Sequence, residues 1–446
     1  MNKNLIIDII EKLKKKGCDQ SDVFLKQNVT KSSSVRLRML EKNESSQNTQ
    51  IGIRAVKGKK QSIISSSNID PKNIDVLVQK VVDMVAVVPD NNYCGLAEDN
   101  LIKKFDENLL KSLDLFDTFE PSIDELKAKA ILLEDSALKN KQIINSEGAE
   151  VSWTKSKYLL AGSNNMFQEY TKTFSSFILA VLAGNNSGME REYDFKSKVY
   201  FEDLGNFEKI GEETARKAVS KLNSKKIKTC KADVIYDARI SSSLLRHLAA
   251  AANAVSVARG TSFLKDKLGK KLFNKEINII DDPRLARMLN TKIIDCEGIE
   301  TKTMKLIKNG ELQFYFNSLE SARQLNQKAT GHGTRGVTSL PYPSVSNLFL
   351  ENGKVSREDL IGSLKKGLLV TELMGTSINP SNGDYSRGAS GFWIENGEIS
   401  HPVSEITIAG NLFDIFNCLI PANDLRFNYS INSPSCLVQN MTIAGI

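Results

Sequence analysis

Three Asn-Gly pairs in the second half of the chain, Asn309-Gly310, Asn352-Gly353 and Asn396-Gly397, constrain the fold more than any other feature. A two-residue type I′ hairpin turn needs positive φ at both positions, and Asn-Gly adopts this at least cost. Each pair has strand-like sequence on at least one side, so each predicts an antiparallel hairpin. From residue 229 onward the pattern reads as one helix over 241–257, then a large, mostly antiparallel sheet or barrel. A short helix over 356–366 interrupts it, with Ser356 as cap and Gly367 as stop.

The first half mixes both periodicities. Leu5, Ile6, Ile9, Ile10 and Leu13 recur at helical spacing and predict an amphipathic first helix. Strand-like runs follow at 23–25, 35–39, 51–56 and 61–65. A second helix starts with Asp70 as cap and Pro71 in its first turn. Ile69 and Ile74 stand where a hydrophobic staple closes, and Ile74, Leu77, Val78, Val81, Val82 and Val85 form one apolar stripe. Helices over 122–138 and 207–222 bracket strands at 151–160 and 174–182. The predicted class is α+β: an N-terminal mixed α/β region with antiparallel strands and packed helices, then a β-rich antiparallel sheet or barrel. The expected divisions are 1–105 for the N-terminal α/β region, 106–222 for a middle α/β region completing that lobe, and 229–446 for the C-terminal domain. The polar stretch 223–228 marks the boundary.

Composition removes several classes. With 446 residues, 41% of them hydrophobic, the chain can bury a sizeable core, which excludes a disordered protein. Apolar runs such as 178–183 fall far short of the roughly 18 residues a bilayer requires, so no membrane span is expected. Asp8 and Glu11 break the N-terminal apolar run and no small-residue cleavage site follows, so the expected location is the cytoplasm. The six cysteines are scattered without a CxxC pair, which writes neither a zinc knuckle nor a redox dithiol. Buried reduced thiols are expected. The net charge of +7 is spread over small separated clusters rather than gathered in a groove, so nucleic acid is not the expected partner.

Known motifs mostly fail. Gly331-His-Gly333-Thr-Arg-Gly336 matches GxGxxG, but a helix-like segment precedes it and Pro341 and Pro343 follow, so it reads as a glycine loop and not a dinucleotide fingerprint. No P-loop and no GxSxG elbow occurs. The three histidines are His247, His332 and His401. His247 lies on a predicted helix, yet the next five residues are Leu248 and four alanines, with no glutamate base and no second imidazole. Core packing of that helix explains it with His247 at the edge. Asp384, Arg387 and Glu405 stand out in a glycine-rich stretch, where a buried ion pair or loop anchor would explain them as well as catalysis.

The runs GLLVTELMG (367–375) and GDYSRGASGFWIENGEISHPVSEITIAGNL (383–412) resemble the PmbA/TldE family, paralogue and partner of TldD. RGTSFL (259–264), SARQL with TGHG (321–333) and MTIAG (441–445) agree, and the match is dense over 230–446. The resemblance implies a cytoplasmic TldD–TldE metalloprotease complex acting on unfolded peptides, including peptide precursors and antitoxin-type substrates. It also implies that TldD carries zinc on an HExxxH helix and a C-terminal cysteine. Here the corresponding run is His247-Leu-Ala-Ala-Ala-Ala252, and Cys436 follows Ser433-Pro434-Ser435 without the expected Cys-Gly pair. No catalytic residue and no metal ligand is therefore carried over, and zinc is expected in the TldD-type partner. This chain is expected to close the partner's chamber, lined by His332, Asp384, Arg387 and Trp393. Homodimerisation is left open. The alternatives are an autonomous metallopeptidase with a site rebuilt from at least three of His247, His332, His401, Cys436 and nearby carboxylates, and a binding protein that modulates DNA gyrase.

Overall fold

The computed structural model describes residues 3–185 and 188–446. Helix α1 (Lys3–Lys15) buries Ile6, Ile9 and Leu13, as its periodicity requires. Strands β1 (Gln20–Arg36) and β2 (Met39–Lys57) make a long hairpin whose turn is Leu37-Arg38, with φ of 49° and 66°. The run 35–39 is therefore not one strand but the tip of two. The buried Glu134 carboxylate holds this turn, accepting from the Leu37 and Arg38 N–H groups at 2.8 and 2.7 Å. Strand β3 (Lys60–Ser66) precedes α2 (Pro71–Val87), where Ile69 and Ile74 pack into one core but Asp70 makes no side-chain cap bond. Next come α3 (Glu107–Ser112) and α4 (Ile123–Leu138), the latter opened by a Ser122–Glu125 capping box. Strands β4 (Ile143–Gly162), β5 (Phe167–Asn185) and β6 (Gly188–Lys198) lead to α5 (Phe207–Ser220).

These strands form one antiparallel sheet in the order β3-β2-β1-β4-β5-β6. The β1–β4 pairing fuses residues before and after 105 into a single lobe. One face carries all four long helices: α1 and α2 pack on Val23, Leu25, Ile51 and Ile53, and α4 and α5 on Val151, Trp153, Phe177 and Leu179. The opposite face bears cross-strand hydroxyl pairs, Thr30–Thr154 at 3.1 Å and Ser152–Ser176 at 2.8 Å.

In the second half, β7 (Cys230–Tyr236) runs into α6 (Ala238–Ala251) and α7 (Ala254–Ala258). The helix read as continuous over 241–257 breaks at Ala252-Asn253, because the Asn253 side chain accepts from the Val255 N–H and caps a new helix. There follow β8 (Ile279–Asp281), β9 (Met304–Lys308), β10 (Glu311–Leu312), α8 (Leu319–Gln324), β11 (Gly333–Thr334), β12 (Tyr342–Pro343), β13 (Leu348–Leu350) and α9 (Arg357–Gly362). The last elements are β14 (Lys366–Ile378), β15 (Asp384–Glu395), β16 (Glu398–Asn411), α10 (Leu412–Asn417), β17 (Leu419–Pro421), β18 (Ile431–Asn432) and β19 (Cys436–Ala444).

Strands β16-β15-β14-β7-β19 close into a barrel, because β19 also pairs with β16. Its one parallel pair is β7–β14. Asn309-Gly310 and Asn396-Gly397 form the expected turns, with φ of 51° and 83°, and 53° and 81°. Asn352-Gly353 does not. There the backbone is pressed against the chain, and a Cβ on Gly353 would stand 1.8 Å from the Pro421 carbonyl oxygen. Ser356 caps α9 as expected, but the helix ends at Gly362 and Gly367 lies inside β14.

The lobes meet closely. A Cβ on Gly52 of β2 would lie 2.1 Å from the Val337 carbonyl oxygen, and Arg323 donates to the Tyr93, Cys94, Gly95 and Leu96 carbonyls. Among the described residues no helix is long and apolar enough to cross a membrane.

Candidate functional site

Helix α6 is fixed at its start by Asp237, which accepts from the Arg239 N–H, and by Arg239, which donates to Glu192 at 2.6 Å and to the Tyr193 and Thr371 carbonyls. Leu244, Leu245, Leu248 and Ala251 enter the barrel-side core. Arg239, Ser243, Arg246 and His247 form the other stripe, at the spacing of one helical face. His247 is half-buried, its ring edge-on to Tyr385 with centroids 6.1 Å apart, and its Nε2 is shielded with no hydrogen-bond partner. Burial first, then the nearby Arg387 and Arg246 charges, push its pKa down to about 4, so the imidazole is neutral at physiological pH.

A zinc ion needs three or four nitrogen, oxygen or sulfur donors at about 2.0–2.3 Å. Leu248 and Ala252 are fully buried hydrocarbons and offer none. Cys436 lies at the other end of α6, where Ser241 and Ser433 share a 2.8 Å hydrogen bond and the Cys436 Sγ is 3.6 Å from the Ser433 Oγ. Ser241 precedes His247 by nearly two helical turns, about 9 Å at 1.5 Å per residue. Burial also pushes the Cys436 thiol up to about 11, far from the thiolate a metal takes. Among the described residues no group of three or more His, Cys, Asp or Glu could hold a metal. The residues here do not fit a zinc ion.

The other candidates scatter. His332 is sealed, with its ring nitrogens 3.1 Å from Asp281 and 2.9 Å from the Thr330 hydroxyl, against Phe314 and Phe316. It stands off any open surface of this chain. Trp393 is buried in the barrel core and faces His401 across β15–β16. Asp384 is exposed and accepts from Asn382 and Asn411, and Glu405 pairs with Lys226 at 2.7 Å, so among the described residues no buried ion pair joins them to Arg387. Among the described residues His247 and Arg387 do come together, near enough for the Arg387 charge to lower the His247 pKa. Arg387 shares a face of β15 with Tyr385, whose hydroxyl is 3.3 Å from that of Tyr236.

A cleft of about 660 Å³ opens beside α6, between β6 and α5 of one lobe and residues 424–433 of the other. In its wall Glu192, 1% exposed, bridges Lys221 and Arg239, each at 2.6 Å. Burial raises the Glu192 pKa but the two cations outweigh it and hold it below the usual range. Arg239 also lies over the Tyr193 ring, and Phe195 packs on Tyr429 at 5.2 Å. Sequence reading missed this network. Its charged members come from β6, the residue that ends α5, and α6, and no local pattern marks them.

A helix-backed sheet joined to a closed barrel, with a histidine-bearing helix lying on that barrel, defines a two-lobed α+β class. Three family models match this chain in order: PmbA/TldA metallopeptidase domain 1 over residues 21–85, the central domain over 116–222 and the C-terminal domain over 229–445. The metalloprotease PmbA of Escherichia coli is 34% identical over 96% of this chain and 92% of its own length. The chain belongs to the PmbA/TldD metallopeptidase family. A Bacteroides thetaiotaomicron structure described as a modulator of DNA gyrase superposes with a TM-score of 0.90 at 25% identity, covering 100% of this chain and 99% of that one. TldE from Thermococcus kodakarensis has the same fold, with a TM-score of 0.87 at 22% identity over 99% and 100% of the two chains.

Proposed function

We propose that this chain is the non-catalytic, TldE-type subunit of a cytoplasmic two-subunit metallopeptidase, and that it closes the chamber of a TldD-type, zinc-bearing partner. The observation that carries this reading is the pair Leu248 and Ala252: α6 keeps its place against the barrel and keeps His247, but has hydrocarbon where a base and a second ligand would stand. The substrates are unfolded peptides, such as peptide precursors and antitoxin-type segments. An open strand edge supports that class, because among the described residues β2 pairs with β3 only from Ile51 onward and leaves its stretch 39–50 unpaired on that side. An extended peptide can add to such an edge by main-chain hydrogen bonds, which read little sequence.

Co-purification with a TldD-type subunit tests the reading. The two chains should elute together in gel filtration, and an unfolded peptide should be cut by the mixture. Separate elution, with cleavage by the partner undiminished when this chain is omitted, would refute it.

A further inference from the structure

Eight arginines among the described residues are buried or half-buried, and seven of them form an ion pair or donate to an acceptor within the chain. Arg54 and Arg335 reach Asp22, Arg239 reaches Glu192, Arg287 reaches Asp114 and Arg357 reaches Asp237. Arg284 and Arg323 donate to backbone carbonyls. Arg387 is the eighth. Among the described residues its Nε, shielded from solvent, has no hydrogen-bond partner, and its guanidinium has no ion pair. A guanidinium is charged at every physiological pH, and half-buried charges are ordinarily paired.

The neighbours of Arg387 do not supply the missing anion. Tyr385 and Tyr236 are buried phenols hydrogen-bonded to each other, and both are held protonated by burial. His247 is neutral, and Arg246, its neighbour on α6, exposed and without an ion pair among the described residues, adds a second positive charge. Arg246 also acts on Tyr429, which lines the cleft.

We propose that Arg387, with Arg246 as the second positive charge acting on His247, is an anion site that takes a carboxylate of a bound peptide, either an acidic side chain or the C-terminus. The planar fork of a guanidinium matches a carboxylate in two parallel hydrogen bonds, which selects this ligand over a neutral amide. This deepens the chamber-closing reading and rests on it: the chain without a metal site contributes selection of acidic peptide substrates.

The test is fluorescence-anisotropy titration of a labelled acidic hexapeptide, its glutamine counterpart and the C-terminal amides of both. Each is titrated into the full chain and into the chain mixed with a TldD-type partner. The acidic or free-carboxylate peptide should bind at least about tenfold more tightly than the neutral amide, the scale of one charge-assisted hydrogen bond. Arg387→Gln should remove that preference, Arg246→Gln should weaken it, and Arg387→Lys should keep part of it, all with unchanged circular dichroism. Equal affinity for all peptides in both settings would overturn the proposal. So would a preference that survives in folded Arg387→Gln, or displacement of the peptide by an oligonucleotide at equal concentration. Cleavage by the mixture, read separately, reports on the subunit role and does not depend on this preference.

Discussion

The Asp22 carboxylate of β1 accepts from Arg335, and both side chains are sealed where the two lobes meet. The other Asp22 oxygen takes Arg54 at 3.2 Å, so one carboxylate balances two buried guanidinium groups. Removing one partner of a buried pair leaves charge uncompensated, which costs about 3–5 kcal/mol. Asp22→Asn should therefore destabilise by about that much in urea unfolding, and the loss should exceed that of Lys354→Gln, whose pair with Glu276 is exposed.

The hairpin tip stores strain. Leu37 and Arg38 both adopt left-handed φ, which costs a non-glycine residue about 1–2 kcal/mol. The double substitution Leu37→Asn with Arg38→Gly installs the pair that tolerates this backbone best, and should stabilise the chain by about 1 kcal/mol. Glu134→Ala should do the reverse, since it removes the acceptor for both turn N–H groups. Equilibrium unfolding of the parent and the two variants checks this.

A pH effect follows from Glu297. Burial first, then the neighbouring Asp295, raises its pKa to about 8. In the unfolded chain a glutamate titrates near 4.3. The folded form thus holds a proton the unfolded form has lost, so the stability it contributes is full below about pH 4.3 and declines as pH rises, until it is gone above about 8. Its carboxyl accepts from the Leu319 N–H at 2.8 Å, a bond glutamine can keep. Glu297→Gln should gain stability over the parent at pH 9 relative to pH 5.5, measured by denaturant midpoints at both values.

Which features the sequence displayed depends on whether their cause is local. Asn309-Gly310 and Asn396-Gly397 hold their turns by their own backbone chemistry, and both were legible. Leu37-Arg38 is held by a carboxylate from α4, and Gly353 is fixed by contact with Pro421, so neither could be read from neighbours in the chain. The break at Ala252-Asn253 was in principle visible, because asparagine is a good cap, but the alanine run outweighed it. At the site, Leu248 and Ala252 were plain from sequence alone. The isolation of Arg387 was not, because an unpaired charge shows only when everything around it is in place.

Zinc content and peptidase activity of the purified chain, alone and mixed with a TldD-type partner, decide whether it is a non-catalytic subunit. The chain alone should carry substoichiometric metal and cleave nothing, and the mixture should cleave. Stoichiometric zinc together with cleavage by the chain alone would contradict this, and would mean that donors other than those on α6 build a working site.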